Sequence, residues 1–408
     1  MDLKITQVRL PQQSGLWDVG IVKGRIAQVD ATLSESAART IEADGQLLIP
    51  GLVDAHFHLD KAFLLDRCTA VAGDFGEAMR ETLHAKQNFT VADIQTRASR
   101  SIEAAIAFGI TAMRSHVEVD PTIGLRAIEA LLPLRERYAW GLTLQLAVFA
   151  QEGITNHPGS IELLRQALQM GGDLIGSAPY ADPDPAANIR MIFDLAAEFD
   201  CDVDFHLDFL DDDAPLSLPL VIAETQRRGW QGRVCLGHMT KLAKLPPAEL
   251  NAIATDLAAA GISILALPAS DLYMMSRRDT HNVRRGVAPI HTLAAQGVNV
   301  GLATNNVQNL FTPFGDGDVL KICTLLAQVL QLGTVQAQQQ CLDMATVQAA
   351  RAIGLSDYGL APGCQADLVL IAAGSVGEAI AAAPPSRTVI KGGRVVAQSK
   401  LERWLATA

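Results

Sequence analysis

Hydrophobic and polar residues alternate in short runs at both ends of the chain, as they do in strands with one buried face. These runs are 3–10, 19–22, 25–29, 366–371, 387–390 and 394–397. Lys23-Gly24 and Lys391-Gly392-Gly393 lie between neighbouring runs and indicate hairpin turns. The pattern predicts short antiparallel strands at each end, and we expect the two termini to build one small β-sandwich domain together.

The middle of the chain has a different rhythm, in which apolar runs alternate with helical patterns. The apolar runs are 49–58, 109–116, 141–149, 173–177, 201–206, 233–238, 262–267 and 298–303. The helical patterns between them include 94–108, 161–170, 189–199 and 250–260. Eight strand–helix units predict an α/β fold of the closed parallel (β/α)8 barrel type, with its active site at the carboxyl ends of the strands. We assign residues 48–355 to this barrel and residues 1–47 plus 356–408 to the small β domain.

The first barrel strand ends in a pair of histidines. His56 and His58 are two residues apart, so their side chains point to the same face of the strand. Each neutral imidazole offers a nitrogen to Zn²⁺ or Fe²⁺, and the pair therefore provides half of a metal site. Paired histidines on an apolar strand also occur as packed or hydrogen-bonded core groups, and the pair alone leaves both interpretations open.

Further polar residues stand at the ends of other predicted strands. At the ends of the second, third, fifth and sixth strands these are His116, Gln151, His206 and His238. In a closed barrel all these ends meet at one rim, where two histidines of one strand and a third from across the barrel form a metal site with room for water. A metal in such a site lowers the pKa of its water enough to supply hydroxide near neutral pH. His84 lies away from the strand ends, and we assign it no chemistry.

Composition narrows the class of function. Apolar residues make up 49% and charged residues 19% of the 408 residues, as in a well-buried globular protein. The net charge of −11 and the lack of a basic run argue against nucleic acid as a partner. No apolar run approaches the roughly 18 residues of a membrane span, and the first residues do not form a signal peptide. Six scattered cysteines without a CxxC pair indicate reduced thiols, so we expect a cytoplasmic protein without a membrane partner.

Six short motifs follow the predicted barrel strands. They are His56-Phe57-His58-Leu59-Asp60, Ser115-His116-Val117-Glu118-Val119-Asp120, Phe149-Ala150-Gln151-Glu152-Gly153-Ile154, Phe205-His206-Leu207-Asp208, Gly237-His238-Met239-Thr240 and Arg284-Arg285-Gly286. Together they resemble the amidohydrolase superfamily, and within it bacterial cytosine deaminase and the triazine-ring aminohydrolases. The resemblance covers nearly the whole chain, and the motifs are specific as a set although each is weak alone.

The resemblance implies a cofactor, a substrate class and several residue roles. The residues that match the family's ligands to one divalent metal ion, zinc or iron, are His56, His58 and His206. The residue matching His238 polarises the substrate or the metal-bound water, and the one matching Gln151 hydrogen-bonds the ring amide. The expected partner is a small heterocyclic molecule, and assembly into a homo-oligomer is left open.

Two positions depart from the family pattern. The family's aspartate after strand eight is both metal ligand and general base, and the matching position here is Asn305. A carboxamide oxygen is a weak neutral ligand and cannot accept a proton at pH 7. The family's glutamate three residues after the fifth-strand histidine protonates the ring nitrogen, and Phe209 stands in its place. Both proton-handling carboxylates of the deaminases are therefore missing.

A hydrolase with this sequence needs another base, and Asp208 is the nearest carboxylate to a predicted ligand. Asp208 lies two residues after His206, so we expect it on the same strand face, directed into the pocket. The alternative is that it orients a metal-binding histidine. Lys61 also follows the first metal strand and is within reach of the pocket mouth, although we expect a solvated lysine there.

The predicted function rests on the whole set of residues. The predicted metal ligands are His56, His58, His206 and Asn305, the predicted catalytic residues are His238 and Asp208, and the predicted substrate contacts are Gln151, Phe209 and His116. We predict a metal-dependent amidohydrolase that hydrolyses a C–N bond of a small aminated heterocycle or cyclic amide. The alternatives are a catalytically impaired homologue that binds metal and such a ligand, and a barrel whose histidines are structural.

Overall fold

The computed structural model describes residues 1–406, which form strands at both ends of the chain and alternate strands with helices between them. The strands are β1 Leu3–Val8, β2 Trp17–Val22, β3 Arg25–Asp30, β4 Arg39–Glu42, β5 Leu47–Pro50, β6 Leu52–Phe57, β7 Ile110–Glu118, β8 Thr143–Ala150, β9 Leu174–Ser177, β10 Asp202–Leu207, β11 Val234–His238, β12 Ser263–Ala266, β13 Val300–Leu302, β14 Leu368–Ile371, β15 Arg387–Lys391 and β16 Arg394–Ser399. The α-helices are α1 Phe75–Lys86, α2 Val91–Ala107, α3 Arg126–Arg137, α4 Ser160–Met170, α5 Pro185–Phe199, α6 Leu218–Arg228, α7 Pro247–Ala259, α8 Pro268–Met274, α9 Ile290–Ala295, α10 Val319–Val329, α11 Val335–Met344, α12 Val347–Ala352 and α13 Val376–Ala382.

Strands β6 to β13 form one parallel sheet in which spatial order follows chain order. A parallel bridge between Phe57 and Asn305 joins the first strand to the segment after the last one. Helices lie between the strands, and α2 illustrates why, because its buried residues Ile94, Ala98 and Ile102 recur every four positions along one face. The predicted (β/α)8 barrel is confirmed, and each of its eight strands lies at a predicted apolar run.

The two termini form two further four-stranded sheets that share a hydrophobic core. One sheet has the order β3-β2-β1-β4, and the other has the order β16-β15-β14-β5. Side chains of both sheets meet in one buried cluster, which includes Ile5, Ile21, Leu48, Leu368 and Ile390. The predicted β-sandwich built from both ends of the chain is therefore confirmed.

The structure differs from the sequence-based prediction in two places. The apolar run 49–58 is two strands, because the chain passes from the terminal sheet to the barrel at Gly51. Only glycine fits there, since a Cβ at this position would lie 2.1 Å from Thr111 Oγ1. The N-terminal sheet is mixed, because β4 pairs in parallel with β1. The alternation rule missed β4, whose residues are polar except for Ile41. The division into domains at 47/48 and 355/356 stays a prediction, and residues 407–408 of the predicted small domain lie outside the described residues.

Two sequence-wide features accompany this fold. Among residues 1–406, no helix combines the length and the apolar composition that crossing a membrane requires. All six cysteine thiols are free, as predicted from their spacing. Burial raises the pKa of several of them, including Cys201 to about 11, so these thiols are protonated core groups near neutral pH.

Candidate active site

Three histidine side chains converge at the carboxyl ends of β6 and β10. Nε2 of His206 lies 3.1 Å from Nε2 of His56 and 3.1 Å from Nε2 of His58. Each of the three residues is at most 2% exposed. Burial, reinforced by neighbouring basic groups, lowers their pKa values well below the ordinary histidine value. The rings are therefore neutral, which is the form in which histidine binds metal ions.

Asn305 adds a fourth polar group to the same pocket. Its N–H donates to the His56 carbonyl oxygen at 2.9 Å, and its carbonyl oxygen accepts from the His58 N–H at 3.0 Å. Its Nδ2 donates to Ser270 Oγ at 2.7 Å, whereas its Oδ1 has no hydrogen-bond partner within residues 1–406. A buried, unpartnered oxygen beside three neutral imidazoles fits one divalent cation, and both zinc and iron suit these donors.

His116 lies behind this centre and does not line the pocket. Its ring packs on that of His56 with 3.9 Å between centroids, and its Nε2 is 3.3 Å from Asp204 Oδ1. Arg114 Nη1 in turn donates to Asp204 Oδ2 at 2.8 Å. Among the described residues, His116 is not one of those that form the pocket wall. Its position therefore gives no support to the predicted substrate contact. A ring nitrogen of His116 lies within 4.8 Å of a nitrogen of each of the other three histidines, so His116 belongs to the same buried group and packs on His56.

The pocket in front of the histidines is narrow and largely aromatic. The residues that line it are His58, Lys61, Phe75, Gln151, Tyr180, His206, Phe209, His238, Ser270, Asn305, Asn306 and Phe311. Gln151 Nε2 donates to Tyr180 Oη at 3.3 Å, and the ring of Phe209 packs 4.1 Å from that of His238. The structure thus brings the predicted substrate contacts Gln151 and Phe209 to the wall. Their roles stay predictions.

His238, at the end of β11, is held by a carboxylate that the sequence analysis did not single out. Its Nδ1 lies 2.7 Å from Asp271 Oδ1, and Asp271 Oδ2 accepts from the Leu267 N–H at 3.1 Å. Asp271 is fully buried on α8, directly after β12. This contact favours the tautomer of His238 that donates from Nδ1, so Nε2 keeps a free lone pair. The clue in the sequence was an acidic residue just beyond the seventh barrel strand.

The expectation that Asp208 faces the pocket is wrong. Strand β10 ends at Leu207, and Asp208 has a left-handed backbone with φ +47°, so the alternation of side chains no longer applies. Its two carboxylate oxygens accept the N–H groups of Ser217 at 2.8 Å and Leu218 at 3.1 Å, at the start of α6. Asp208 therefore holds a helix end, and its position gives no support to the predicted role as base.

Lys61 is also placed differently from the prediction, because only 2% of it is exposed. Its Nζ lies 3.3 Å from Glu118 Oε2 and 3.3 Å from Gln151 Oε1. The ammonium is 5.2 Å from the ring centre of Phe149 and 5.6 Å from that of Phe311. The expected solvated lysine is thus a buried pocket residue, and the contacts that bury it come from residues far away in the sequence.

Behind Lys61 lies a second group of buried charges, which we call the Lys86 cluster. It consists of Lys86, Glu118, Asp120 and Glu152. The Lys86 Nζ is 2.5 Å from Glu118, 2.6 Å from Asp120 and 2.7 Å from Glu152. Burial and the neighbouring Glu118 raise the pKa of Glu152 to about 8, whereas the two lysines lower the pKa of Glu118 to about 2 against the effect of burial. The sequence analysis assigned no function to these residues.

A (β/α)8 barrel with three converging neutral histidines at the carboxyl ends of its strands, beside an enclosed pocket, defines the class of barrel hydrolases that use a metal ion. Comparison with known proteins makes the identification specific. Residues 71–397 match the model of the amidohydrolase family (Amidohydro_3), and the chain belongs to this family.

Individual relatives match the chain over almost its full length. It is 28% identical to N-isopropylammelide isopropyl amidohydrolase of Pseudomonas sp. (strain ADP), with 98% of each chain covered. It is 29% identical to pterin deaminase of Rhizobium rhizogenes, with 95% of this chain and 90% of the relative covered. The crystal structure of 5-methylcytosine deaminase from Klebsiella pneumoniae liganded with 5-fluorocytosine superposes with a TM-score of 0.94 at 30% identity, over 99% of each chain.

Proposed function

We propose that this protein is a metal-dependent amidohydrolase that hydrolyses a C–N bond of a small aminated heterocycle or cyclic amide. The observation that carries the proposal is the convergence of three histidines beside a narrow aromatic pocket, where Nε2 of His206 lies 3.1 Å from Nε2 of His56 and 3.1 Å from Nε2 of His58. The relatives named above act on a triazine, a pterin and a pyrimidine according to their names, which supports a nitrogen heterocycle as substrate class.

The proposed metal ligands are His56, His58, His206 and Asn305. These residues would hold a divalent cation, which would supply Lewis-acid chemistry at this site. Three of these ligands are neutral imidazoles whose low pKa keeps them unprotonated across the physiological range. Asn305 contributes a buried oxygen that nothing else in the described residues occupies. The proposal does not distinguish zinc from iron as the bound ion.

The other wall residues position the substrate. Gln151 presents its amide to the pocket and forms the hydrogen bonds that a ring amide requires. Phe209 offers an aromatic face beside His238, against which a flat ring packs. Because Phe209 cannot protonate a ring nitrogen, we expect slow deamination of cytosine itself.

Proton transfer falls to His238 in this proposal. Among the described residues no carboxylate lines the pocket, and Asp208 has both oxygens bonded to the start of α6. His238 keeps a free Nε2 lone pair because its Nδ1–H donates a hydrogen bond to Asp271. A histidine in this state accepts a proton from attacking water and afterwards stabilises developing negative charge. Asp271 acts only through His238 and is a positioning residue.

The setting of the enzyme is a further part of the proposal. We infer a cytoplasmic enzyme, in line with six free cysteines. The small heterocycle is its partner, and whether copies of the chain assemble into a homo-oligomer stays a prediction.

The proposal is tested by metal analysis and turnover on one purified sample. We expect about one zinc or iron per chain, and release of ammonia or amine from at least one member of a panel of pyrimidines, triazines, pterins and cyclic ureas. Chelation should abolish this turnover, and added metal should restore it. A protein that neither contains nor takes up metal contradicts the proposal. A metal-loaded protein that binds panel members without converting any of them is instead the catalytically impaired homologue.

A further inference from the structure

The charge of the pocket wall points to the kind of ring that it binds. Lys61 is the one wall residue among the described residues whose side chain carries a permanent charge, and no carboxylate shares the wall with it. A molecule bound in this pocket therefore contacts an ammonium but no carboxylate, because Glu118, the partner of Lys61, lies behind the wall.

The Lys61 ammonium is incompletely satisfied by the protein. An ammonium has three N–H donors, and in the described residues Lys61 has two acceptors, both at 3.3 Å. Its one anionic partner, Glu118, is shared with Lys86, which lies much closer at 2.5 Å. One donor and much of the charge of Lys61 thus remain for a third acceptor.

The backbone at Lys61 is held by hydrogen bonds from two side chains of other segments. Asn309 Nδ2 donates to the Lys61 carbonyl oxygen at 3.1 Å. Arg97 Nη1 donates to the carbonyl oxygens on either side of it, of Asp60 at 2.7 Å and of Ala62 at 3.0 Å. With the rings of Phe149 and Phe311 close to it, the ammonium is held in place before any ligand arrives, which lowers the entropy cost of binding.

We propose that Lys61 binds an ionised ring oxygen, so that the pocket selects oxo-substituted heterocycles that are anions near neutral pH. This inference rests on the proposed function and deepens it by naming the substrate class. An anionic ring would supply the negative charge that the protein itself does not provide on this wall.

The test compares two pyrimidines of the same ring skeleton by isothermal titration calorimetry. Barbiturate is an anion at neutral pH, and uracil is neutral. We expect the wild-type, metal-loaded protein to bind barbiturate at least tenfold more tightly than uracil. Lys61→Met and Lys61→Gln should each weaken barbiturate binding by about 10- to 100-fold, because a charged hydrogen bond is lost. Uracil binding should change by less than about threefold.

Lys241→Met is the matched control. Lys241 is also buried, with its Nζ 2.5 Å from Asp212, but it does not line the pocket. It should leave both affinities unchanged. Circular dichroism of each variant establishes that it is folded.

Two outcomes overturn the assignment of Lys61. One is equal affinity of the wild-type protein for uracil and barbiturate, an outcome that can be observed without any variant. The other is a folded Lys61→Met or Lys61→Gln protein that keeps the wild-type affinity for barbiturate, which would assign the preference to the metal alone. Because binding is measured without turnover, a protein that hydrolyses nothing still tests Lys61. Conversely, if the enzyme is active and its Lys61 variants keep the wild-type affinity for barbiturate, only the role of Lys61 is overturned and the proposed function is not.

Discussion

Two buried polar clusters lie side by side in this barrel, and they differ in whether the protein satisfies them. In the Lys86 cluster, one ammonium lies within 2.7 Å of three carboxyl groups, so each of them has a hydrogen-bond partner inside the protein. In the histidine cluster, three neutral nitrogens meet without a carboxylate, and the oxygen of Asn305 has no partner in the described residues. Buried polar groups are normally paired. The difference therefore separates a structural cluster from one that awaits a ligand.

The comparison also decides which acidic residues are candidates for metal binding. Glu118, Asp120 and Glu152 have oxygens close enough together to hold a cation. The Lys86 ammonium is already the cation among them, so this group needs no metal ion. The histidine cluster contains no such internal cation. Two of the predictions below remove a group from one of these clusters, and the other two change a carboxylate near the pocket.

The largest expected effect is on metal binding by the histidine cluster. His206→Ala removes the ring whose Nε2 contacts both other histidines, so stoichiometric metal binding should be lost completely. Metal content after dialysis against Zn²⁺, measured by mass spectrometry, checks this. His84→Ala changes an exposed histidine of α1 and should keep the wild-type content. A His206→Ala protein that still holds one metal per chain would remove the centre from its proposed place.

The second prediction concerns the carboxylate that orients His238. Asp271→Asn keeps the shape of the side chain but no longer favours the His238 tautomer with its proton on Nδ1. Turnover of the substrate found with the panel should therefore fall by about 10²- to 10⁴-fold. Metal content should stay at the wild-type level, because Asp271 contacts none of the proposed ligands. Nearly full activity with normal metal content would show that His238 does not depend on Asp271.

The third prediction tests the satisfied cluster. Lys86→Met removes the ammonium that three carboxyl groups share and leaves only Lys61, 3.3 Å from Glu118, as a cation beside them, so the free energy of unfolding should fall by about 3–5 kcal/mol. Urea unfolding followed by circular dichroism measures the loss. Lys321→Met removes an exposed lysine that pairs with Asp316, and it should cost less than about 1 kcal/mol. Equal losses in the two variants would mean that the buried pairing adds nothing to stability.

The sequence predicted those parts of the molecule that depend on local periodicity. The eight barrel strands followed from apolar runs, and His56 and His58 reached one centre because side chains alternate along a strand. The same rule failed at Asp208, where a left-handed residue just past the strand redirects the side chain. It also failed for β4, whose pairing with β1 compensates for a polar sequence.

The residues that the sequence did not predict owe their roles to contacts between distant segments. Lys61 is buried because Glu118 and Gln151 come from two other strands, and Asp271 matters only because it meets His238 across the rim. A one-dimensional pattern contains no distances of this kind. Lysine is usually solvated, and here burial with a charged partner reverses that tendency.

The smallest expected effect separates a helix-capping carboxylate from a catalytic one. Asp208→Asn removes the charge from a side chain whose two oxygens accept the N–H groups of Ser217 and Leu218. The free energy of unfolding should fall by about 1 kcal/mol, as for the loss of a helix cap. Turnover should change by less than about threefold, since the side chain is not part of the pocket wall. A loss of about 10²-fold or more at unchanged metal content would restore Asp208 as the general base.

Asp184→Asn is the matched control for this last variant. Asp184 also accepts a backbone N–H at the start of a helix, that of Ala187 in α5, and it is exposed and away from the pocket. Both variants should lower the urea midpoint by similar amounts. If Asp208→Asn then loses activity that Asp184→Asn keeps, the loss belongs to the site and not to the stability of the barrel. If the two behave alike in both measurements, Asp208 is a structural residue, and the pocket relies on His238 and Asp271 to handle the proton.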